Sequence, residues 1–493
     1  MPLTAAVDRT YGAKGELSPK KFALAGRSVA WPTMTLILAR WEFAIVTVFH
    51  FFFVPVTIGL GFMVAVMQTL AYVKKDKAWE RLTSFFGHLF LINLAVGVVT
   101  GIVLEFQFGL NWSSYSVFVG NIFGAPLAIE GLLAFFLEST FIGLWVFGKG
   151  RLSPRLHLAT IWIVSAGTLL SALFILAANA WMQHPVGYKV VHGQAVLTNF
   201  WAVLGNSTLW ESFAHTVLAA FTTAGMLVLG ISLWRQHKDR ERSEDRKAFL
   251  RAARFALIFT FCAVVLTGVS GDAQARLMDS QQPMKMASAE ALYDTSDGAS
   301  FSLLTIGNLS GKPVFQVRVP HLLSLIADLS WNGQVRGINQ VQQSEASKYG
   351  AGSYVPVIWL TYWSFRVMAG AGILLVILGL WGILLARRGR LGESRWFRRA
   401  ALWGMALPFL ANTTGWIFTE AGRQPWIVYG LMTTARGVSA VTSADVATTL
   451  VGFVVVYGVL GAIDAMLMVR AARRPLDESY GSPARDVVPG LVY

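Results

Sequence analysis

Two histidines lie inside long apolar runs, His50 in EFAIVTVFHFFFVPVTIGL and His215 in LWESFAHTVLAAF. A histidine placed in this way can simply link neighbouring helices by a hydrogen bond. Histidine is also the residue that most often binds a metal, and it holds haem iron in several protein classes. The single cysteine, Cys262, cannot supply an iron–sulfur or zinc thiolate cluster. The two histidines therefore favour haem, with helix linkage as the alternative.

A methionine and an arginine lie near one end of another apolar run, as Met368 and Arg366 in YWSFRVMAGAGILL. Methionine paired with histidine forms a low-spin haem site, although most of the 14 Met residues are expected to fill gaps in the core. An arginine inside a bilayer needs an anion, and a guanidinium binds carboxylates such as haem propionates well. The small residues AGAG leave room for a flat macrocycle. The segment is thus a candidate wall of a haem pocket.

Carboxylates and hydroxyls follow one another along the apolar run APLAIEGLLAFFLESTFIGLW and its neighbour. In a uniform α-helix, Glu130 and Glu138 would be about 12 Å apart along the axis and about 80° apart around it. We therefore expect them at successive depths and not on one face. Stacked acids in a bilayer commonly form proton relays, and structural carboxyl groups are the alternative. Ser139 and Ser171 would extend such a path, or pack helices.

The segment GWIFTEAGRQPWIVYG places Glu420 and Arg423 at the end of an apolar run. One interpretation is a polar cap at the membrane boundary, with Trp416, Trp426 and Tyr429 as interfacial aromatic residues. The other is that the charges perform chemistry at the membrane edge. Residue types alone leave both interpretations open.

The elements that must position these residues are membrane helices. The chain has 493 residues, of which 55% are hydrophobic and 14% charged, whereas about a quarter of the residues of soluble proteins are charged. Apolar runs near twenty residues can cross a hydrocarbon core of about 30 Å. The sequence predicts an all-α integral membrane protein with about nine transmembrane helices. The predicted spans are 41–73, 84–105, 125–148, 157–181, 212–235, 253–271, 356–386, 398–419 and 446–470.

Basic residues concentrate in alternate connections. The basic loops are KKDKAWER, KGRLSPR, RQHKDRERSEDRKAFLRAAR and ARRGRLGESRWFRRA, whereas FGLNWSSYSVFVGNIFG carries no charge. Short cytoplasmic loops carry the excess of Lys and Arg. The sequence therefore predicts an N-terminus outside and a C-terminus in the cytoplasm. The net charge of +14 is mostly this topology signal, so no nucleic-acid partner is expected.

One outer connection is much longer than the others. It contains the strand-like pieces FSLLTIGN and KPVFQVRVP, which predict an ordered outer domain. The predicted organisation is 1–39 as a polar N-terminal extension, 40–271 as helices one to six, 272–355 as the outer loop, 356–472 as helices seven to nine, and 473–493 as a cytoplasmic C-terminal tail.

Several blocks resemble one family: EFQFGLNWS, GNIFGAPLAIEGLLAFFLEST, ANAWMQHPVG and GRQPW. From about Ala39 to Arg474 the chain is similar to subunit I of the cytochrome bd quinol oxidases. The resemblance implies a terminal oxidase of aerobic respiration in the bacterial cytoplasmic (inner) membrane. It would oxidise ubiquinol or menaquinol at the outer face and reduce O2 with cytoplasmic protons, generating proton motive force without pumping. The implied partners in the lipid bilayer are a homologous subunit II and small single-span subunits.

The resemblance also implies three haems. His215 and Met368 match the axial ligands of a low-spin haem b, and Arg366 matches an arginine beside it. His50 and Glu420 match the iron ligands of a high-spin haem b and a haem d, or of a third haem b in place of haem d. Which of the two binds which haem stays open.

The remaining implied roles fall into three groups. Glu130 matches a residue on the haem d side, either a ligand or a proton-delivering group, and Glu138 and Ser171 match the proton path that leads there; Ser139 joins this group on its residue type alone. The quinol-binding residues of a short-type outer Q-loop are Asp272, Lys285 and Glu290. The residues that face haem propionates or balance their charge are Arg366, Arg423 and Trp416. Glu42 departs from the family pattern and has no assigned role.

Three alternatives stay open at this point. A cyanide-insensitive variant with haem b in place of haem d would use the same ligands. A proton-coupled secondary transporter would use the buried carboxylates, but it would leave His50, His215 and Met368 without a role, and the chain lacks the paired repeats of transporters. An electron-passing cytochrome without oxygen chemistry would not need Glu420 as a weak iron ligand.

Overall fold

A computed structural model describes residues 34–239, 243–307, 309 and 313–476 of the chain. Of the described residues, 77% are helical, which agrees with the predicted helical fold. The helices are α1 (Met34–Lys74), α2 (Lys77–Leu110), α3 (Ser113–Ile129), α4 (Phe136–Phe147), α5 (Pro154–Gln183), α6 (Phe200–Leu204), α7 (Ser207–Lys238), α8 (Ser243–Gln281), α9 (Pro283–Glu290), α10 (Leu322–Asp328), α11 (Ile338–Tyr349), α12 (Ile358–Arg387), α13 (Arg395–Gly404), α14 (Ala406–Ala421), α15 (Thr434–Gly437) and α16 (Ser443–Arg473).

Short antiparallel hairpins and bridges connect some of the helices. The strands are β1 (Tyr188–Val191), β2 (Gln194–Leu197), β3 (Ser296–Asp297), β4 (Phe301–Gly307), β5 (Pro313–Val319), β6 (Gln334–Val335), β7 (Trp426–Val428) and β8 (Met432–Thr433). They pair as β1–β2, β3–β6, β4–β5 and β7–β8. The two pieces predicted as strand-like form the hairpin β4–β5.

Among the described residues, eight helical segments are long and apolar enough to cross a membrane: α1, α2, α3 to α4, α5, α7, α8, α12 and α16. The predicted eighth span is instead divided into α13 and α14 at Met405. Pro408 lacks an amide hydrogen, so it cannot bond the carbonyl of Gly404 and complete the helix there. Met405 itself keeps right-handed helical dihedral angles (φ −58°, ψ −26°), so this segment is helical on both sides of the break and its membrane crossing stays a prediction.

Helix ends also differ from the predicted boundaries. Helix α1 begins at Met34, inside the stretch predicted as a polar extension, and the rest of that extension lies outside the described residues. The predicted C-terminal tail lies outside them from residue 477 onward. Helix α8 continues to Gln281, ten residues past the predicted end of its span. Its extra turns contain the good helix formers Ala, Gln, Arg, Leu and Met.

The third span is not a uniform α-helix. Residues Glu130–Phe135 form a π-helical turn between α3 and α4. A π turn bonds each amide to the fifth preceding carbonyl and advances less per residue than an α turn. The expected 80° offset between Glu130 and Glu138 is therefore wrong, because it assumed an uninterrupted α-helix. Turns of this kind often occur at functional sites.

The core of the bundle lies where α1, α2, α7 and α8 pack. Close helix contact depends on Gly59, because a Cβ there would lie 2.3 Å from the carbonyl oxygen of Ala220. Glu42 is completely buried in α1 and joins two other elements. Its Oε1 accepts from Asn111 Nδ2 at 2.6 Å, and its Oε2 lies 2.8 Å from the Thr449 hydroxyl.

The long connection folds against the end of α5 and the β7–β8 hairpin. The Tyr429 hydroxyl donates to Glu345 Oε1 at 3.1 Å, and the Tyr429 amide donates to the Met182 carbonyl at 2.9 Å. Trp426 stacks on Tyr354 with the ring centroids 5.4 Å apart. These contacts fix the segment that follows Glu420.

Candidate functional site

An apolar cavity of about 450 Å³ lies between α7, α8, α12 and α14, and both His215 and Met368 line it. Gly268 and Gly372 also line it, and a Cβ at either would have no atom within 4 Å among the described residues. The two side chains that the sequence suggested as an axial pair therefore share one cavity, and its glycine walls leave room for a flat ligand.

A hydroxyl holds one nitrogen of His215. Its Nδ1 lies 3.1 Å from the Ser270 hydroxyl, which donates to the Thr267 carbonyl at 3.0 Å. Because the hydroxyl hydrogen is directed at that carbonyl, Ser270 accepts a hydrogen bond from Nδ1–H. This tautomer leaves the lone pair on Nε2, as an iron-binding histidine requires.

His50 is held in the same way, outside this cavity. Its Nδ1 lies 2.9 Å from the Thr100 hydroxyl, which is also 2.9 Å from the Val96 and Gly97 carbonyls. Gly101 lets the ring approach, because a Cβ there would lie 3.1 Å from His50 Cε1. Thr100 thus accepts from Nδ1–H, and the Nε2 lone pair of His50 is left for a ligand.

Glu420 lies near the C-terminal end of α14 and is held on both oxygens. Asn179 Nδ2 donates to its Oε1 at 3.0 Å, and Arg423 forms an ion pair with its Oε2. The Glu420 side chain is 28% exposed, whereas that of Arg423 is 1% exposed. The carboxylate is therefore oriented by its neighbours but still accessible from one side.

The Arg423 guanidinium has more hydrogen-bond donors than Glu420 accepts from. Its Nη2 donates to Glu420, while its Nε and Nη1 are buried without a hydrogen-bond partner among the described residues. A buried charged donor without a partner is costly. Two such donors on one guanidinium match a second anion, and a haem propionate has the required planar carboxylate.

Arg366, by contrast, is already paired. Its Nη2 donates to Glu290 Oε2 at 2.8 Å and to the Ser302 carbonyl at 2.6 Å, and its Nη1 donates to the Ala289 carbonyl. The ring of Tyr362 lies 4.0 Å from the guanidinium carbon. The sequence assigned Arg366 to a haem and Glu290 to quinol, but the structure brings these two side chains together.

Lys285 is buried at the start of α9 and donates from Nζ to Gln183 Oε1 at 2.9 Å. Burial and, to a smaller extent, the positive charge of Arg423 lower the pKa of this ammonium to about 7, while the carboxylate of Glu420 acts in the opposite direction. Asp272 does not join Lys285: it lies on α8, lines the apolar cavity and forms an ion pair with Arg276.

A polar pair crosses from the π turn to α5. The Ser171 hydroxyl donates to Glu130 Oε1 at 2.7 Å, while Glu130 Oε2 is buried without a hydrogen-bond partner among the described residues. Glu138 is buried on the next helix and interacts electrostatically with Glu130. Ser139 is exposed and bonds the Phe136 carbonyl of its own helix at 3.3 Å. Of the four candidates for the proton path, Ser139 is therefore the one whose side chain is exposed and away from the Glu130–Ser171 pair.

Sequence reasoning missed several side chains that position the candidates. They are Thr100, Ser270, Asn179 and Gln183, together with Glu105, which interacts electrostatically with Glu130. A signal existed for two of them, because Asn179 and Gln183 are spaced i, i+4 at the polar end of an apolar run. No such signal marks a single hydroxyl among the many in membrane helices. Trp416 lines the cavity and contacts Phe51 edge to face at 5.2 Å.

Comparison with known proteins identifies the arrangement. The family model for cytochrome bd terminal oxidase subunit I matches residues 38–476. The chain belongs to this family. Its members are transmembrane oxidoreductases that act as terminal oxidases in respiratory electron transport. The family implies haem cofactors, and the eight apolar helices agree with a multi-pass membrane protein.

The relatives cover almost the whole chain. The chain is 46% identical to the Bacillus subtilis cytochrome bd ubiquinol oxidase subunit 1, over 89% of this chain and 94% of that protein. It is 34% identical to the Escherichia coli cytochrome bd-II ubiquinol oxidase subunit 1, over 88% and 96%. The bd oxidase structure from Geobacillus thermodenitrificans matches with a TM-score of 0.82 and 26% identity, over 90% of this chain and 99% of that one.

The residues of the candidate site fit the haems that membership of the cytochrome bd family implies. In both histidines a hydroxyl holds Nδ1 and leaves Nε2 for a ligand, Met368 and His215 line one apolar cavity, and Arg423 has two buried donors without a partner among the described residues. These are properties of the protein's own side chains, and together they match the chemistry of a haem rather than that of a bare metal ion.

Proposed function

We propose that this chain is the haem-bearing subunit of a quinol oxidase that reduces O2 to water. The observation that carries the proposal is the single apolar cavity lined by both His215 and Met368. The relatives named ubiquinol oxidase support quinol as the reductant. We further propose a homologous subunit II, with small single-span subunits, as its partners in a bacterial cytoplasmic membrane.

Four side chains would hold the haems. His215 and Met368 would bind a low-spin haem b, while His50 and Glu420 would each bind one high-spin haem, either a haem b and a haem d or two haems b. When bound, the haems accept single electrons and pass them to oxygen. Ser270 and Thr100 fix the histidine rings, Asn179 orients the Glu420 carboxylate, and Arg423 would neutralise propionate charge.

Quinol would bind near Lys285 and Glu290 on α9, close to the start of the outer segment, which is the predicted loop 272–355. Oxidation of a quinol releases protons, so the site needs a group that accepts them near neutral pH. Lys285, whose pKa burial lowers to about 7, has a substantial fraction of neutral amine at that pH. Glu290 is held by Arg366 and the Ser302 amide, and it would shape the site.

The protons for water would come from the opposite side of the membrane through Glu138 and Glu130. The Glu130 oxygen without a partner among the described residues is free to receive a proton, and Ser171 holds the other oxygen in place. Asp272 would belong to the wall of the low-spin site, because it lines the same cavity as His215.

The test compares reduced-minus-oxidised spectra and quinol-dependent oxygen consumption of purified variants. His215→Ala and Met368→Leu should each abolish the low-spin haem b band and quinol oxidation. Met466→Leu is the control, because Met466 lies on α16 with 46% of its surface exposed. An unchanged low-spin band in both cavity variants would overturn the assignment.

A further inference from the structure

A chain of hydrogen bonds links the two ends of the candidate site. Lys285 Nζ donates to Gln183 Oε1 at 2.9 Å, and Gln183 Nε2 donates to Asn179 Oδ1 at 2.8 Å. Asn179 Nδ2 then donates to Glu420 Oε1 at 3.0 Å. This series of hydrogen bonds therefore runs without a break from the buried Lys285 amine to the Glu420 carboxylate.

Each member of the chain is fixed by the fold. Gln183 and Asn179 are one helical turn apart on α5, so their side chains lie along the same face. Lys285 lies on α9, and Gln282 Nε2 at the start of that helix donates to the Gln183 carbonyl at 2.7 Å. This second contact keeps α9 against the end of α5, because it does not involve the Gln183 side chain.

The direction of the bonds is uniform. Both amide groups present their oxygen to the lysine side and their nitrogen to the Glu420 side. Rotating either amide by half a turn would place a donor against a donor at one end and an acceptor against an acceptor at the other. An ammonium and a carboxylate at the two ends therefore select one orientation of both dipoles, and bonds in such a series polarise one another.

We propose that Gln183 and Asn179 are positioning residues that couple the quinol end of the site, at Lys285, to the iron-ligand end, at Glu420. The inference rests on the proposed function and adds that the two ends are not independent. A change in charge or position at Lys285 alters the hydrogen bond that Asn179 donates to Glu420, and hence the carboxylate offered to iron.

The first experiment uses two substitutions at one position, with quinol kinetics and redox titration of the haems as separate readouts. Gln183→Leu removes both hydrogen bonds, so KM for quinol should rise about tenfold, since a bond to a charged group contributes about 1.5–3 kcal/mol. Gln183→Glu keeps an acceptor for Lys285 but loses the donor to Asn179. Its KM should stay near the wild-type value, whereas the midpoint potential of the Glu420-bound haem should shift in both variants.

The control is Gln342→Leu in the outer segment. It also removes two hydrogen bonds, to the Gly352 carbonyl and the Tyr354 amide, but neither leads to Lys285 or Glu420. We expect it to leave the haem potentials unchanged. A potential shift of equal size in the control would mean that general loosening of the structure explains the result.

The second experiment asks whether coupling passes through the amides. Lys285→Met removes a positive charge and should lower the midpoint potential of the Glu420-bound haem. The shift should be clearly smaller in a Gln183→Leu background. An equal shift in both backgrounds would overturn the proposed coupling through Gln183 and Asn179, because it would mean that the charge of Lys285 acts on the haem only through space. Wild-type protein without haem or quinol oxidation would instead refute the proposed function itself.

Discussion

Two buried arginines with different partners show how much a single residue depends on its neighbours. Arg366 is enclosed by Glu290 and backbone carbonyls, whereas Arg423 keeps two buried donors without partners among the described residues. The same residue type therefore serves two purposes. Arg366 closes a structural ion pair, and Arg423 is the side chain with capacity for an anionic ligand.

Removing Arg366 should destabilise the folded protein through the charge left behind. Arg366→Gln leaves Glu290, whose side chain is 3% exposed, without its partner, and breaking a buried pair in this way costs roughly 3–5 kcal/mol. Thermal unfolding in detergent should therefore occur at a clearly lower temperature. The double variant Arg366→Gln/Glu290→Gln should recover most of the loss, and failure to recover would show that the arginine acts through other contacts.

The pH dependence of quinol oxidation should report on Lys285. Because burial lowers the pKa of this group to about 7, the ammonium predominates below pH 7 and the neutral amine above it. If the amine accepts the quinol proton, kcat/KM should rise with pH through about 7 and then level off.

Lys285→Arg keeps a permanent charge and should remove that rise. The matched control is Lys348→Arg in α11, an exposed lysine of the same outer segment, which should keep the wild-type profile. Steady-state kinetics between pH 6 and 8 make the measurement. A profile for Lys285→Arg that still rises through neutral pH would assign the step to another group.

Residue types in apolar surroundings were enough to suggest His50, His215 and Met368 as candidate ligands, whereas Glu420 was suggested by the family resemblance. The sequence could not show that Arg366 and Glu290 meet, since they are separated by a hairpin and two helices. It could not show the hydroxyls behind the histidines either. Which side chains become partners depends on how each helix is rotated about its own axis. A span that is mostly apolar has too few polar residues for the sequence to determine that rotation.

At the scale of the helix, Glu42 connects three elements. Asn111 at the end of α2 donates to it, and Thr449 of α16 contacts its other oxygen while also reaching the Val446 carbonyl at 3.0 Å. A glutamine at this position could accept from Asn111 and donate to the Thr449 hydroxyl, which would then donate to Val446. The site thus requires a side chain of this shape more than it requires a charge.

Glu42→Gln should therefore unfold at nearly the wild-type temperature, whereas Glu42→Leu should unfold earlier. The leucine leaves the buried Asn111 amide with one partner fewer, and an unsatisfied buried donor costs about 1–3 kcal/mol. Thermal unfolding of both variants in the same detergent makes the comparison. Equal loss in the two would indicate that the charge of Glu42 matters after all.

The positions of the spans followed from hydropathy, but helix lengths and interruptions did not. Apolar content predicts that a segment is helical and buried, so eight predicted spans have counterparts among the described residues. The break at Met405 and the π turn at Glu130–Phe135 arise from local hydrogen bonding. A proline in a membrane helix can kink it or divide it, so Pro408 alone did not decide the outcome.

For the whole molecule, the apolar surface is unevenly covered. The spanning windows of Ser113–Phe147 and Ser443–Arg473 are only 6% and 11% buried, against 67% for Ser207–Lys238. Because these windows lie outside the packed core of the chain, we expect another protein or lipid against them. The homologous subunit II proposed above is the candidate for that protein.

Single cysteines should show whether protein or lipid lies against α16. The background is Cys262→Ser, because the native cysteine is exposed. Val455→Cys, at a position 58% exposed on α16, should cross-link to a second subunit in the purified complex. Ile258→Cys, at a position 61% exposed on α8, is the control and should not. Cross-linking of Ile258→Cys without cross-linking of Val455→Cys would mean that the partner lies against α8 and not against α16.

The separation of the proposed ligands along the chain has a consequence for biosynthesis. A ribosome that has completed the first six spanning segments has supplied His50 and His215, but Met368 and Glu420 have not yet been made. The walls contributed by α12 and α14 are missing at that stage. Iron-ligand pairs or propionate contacts involving these residues can form only after the last third of the chain is in the membrane. The apolar cavity is therefore completed only late in synthesis, when α12 and α14 have joined the earlier helices.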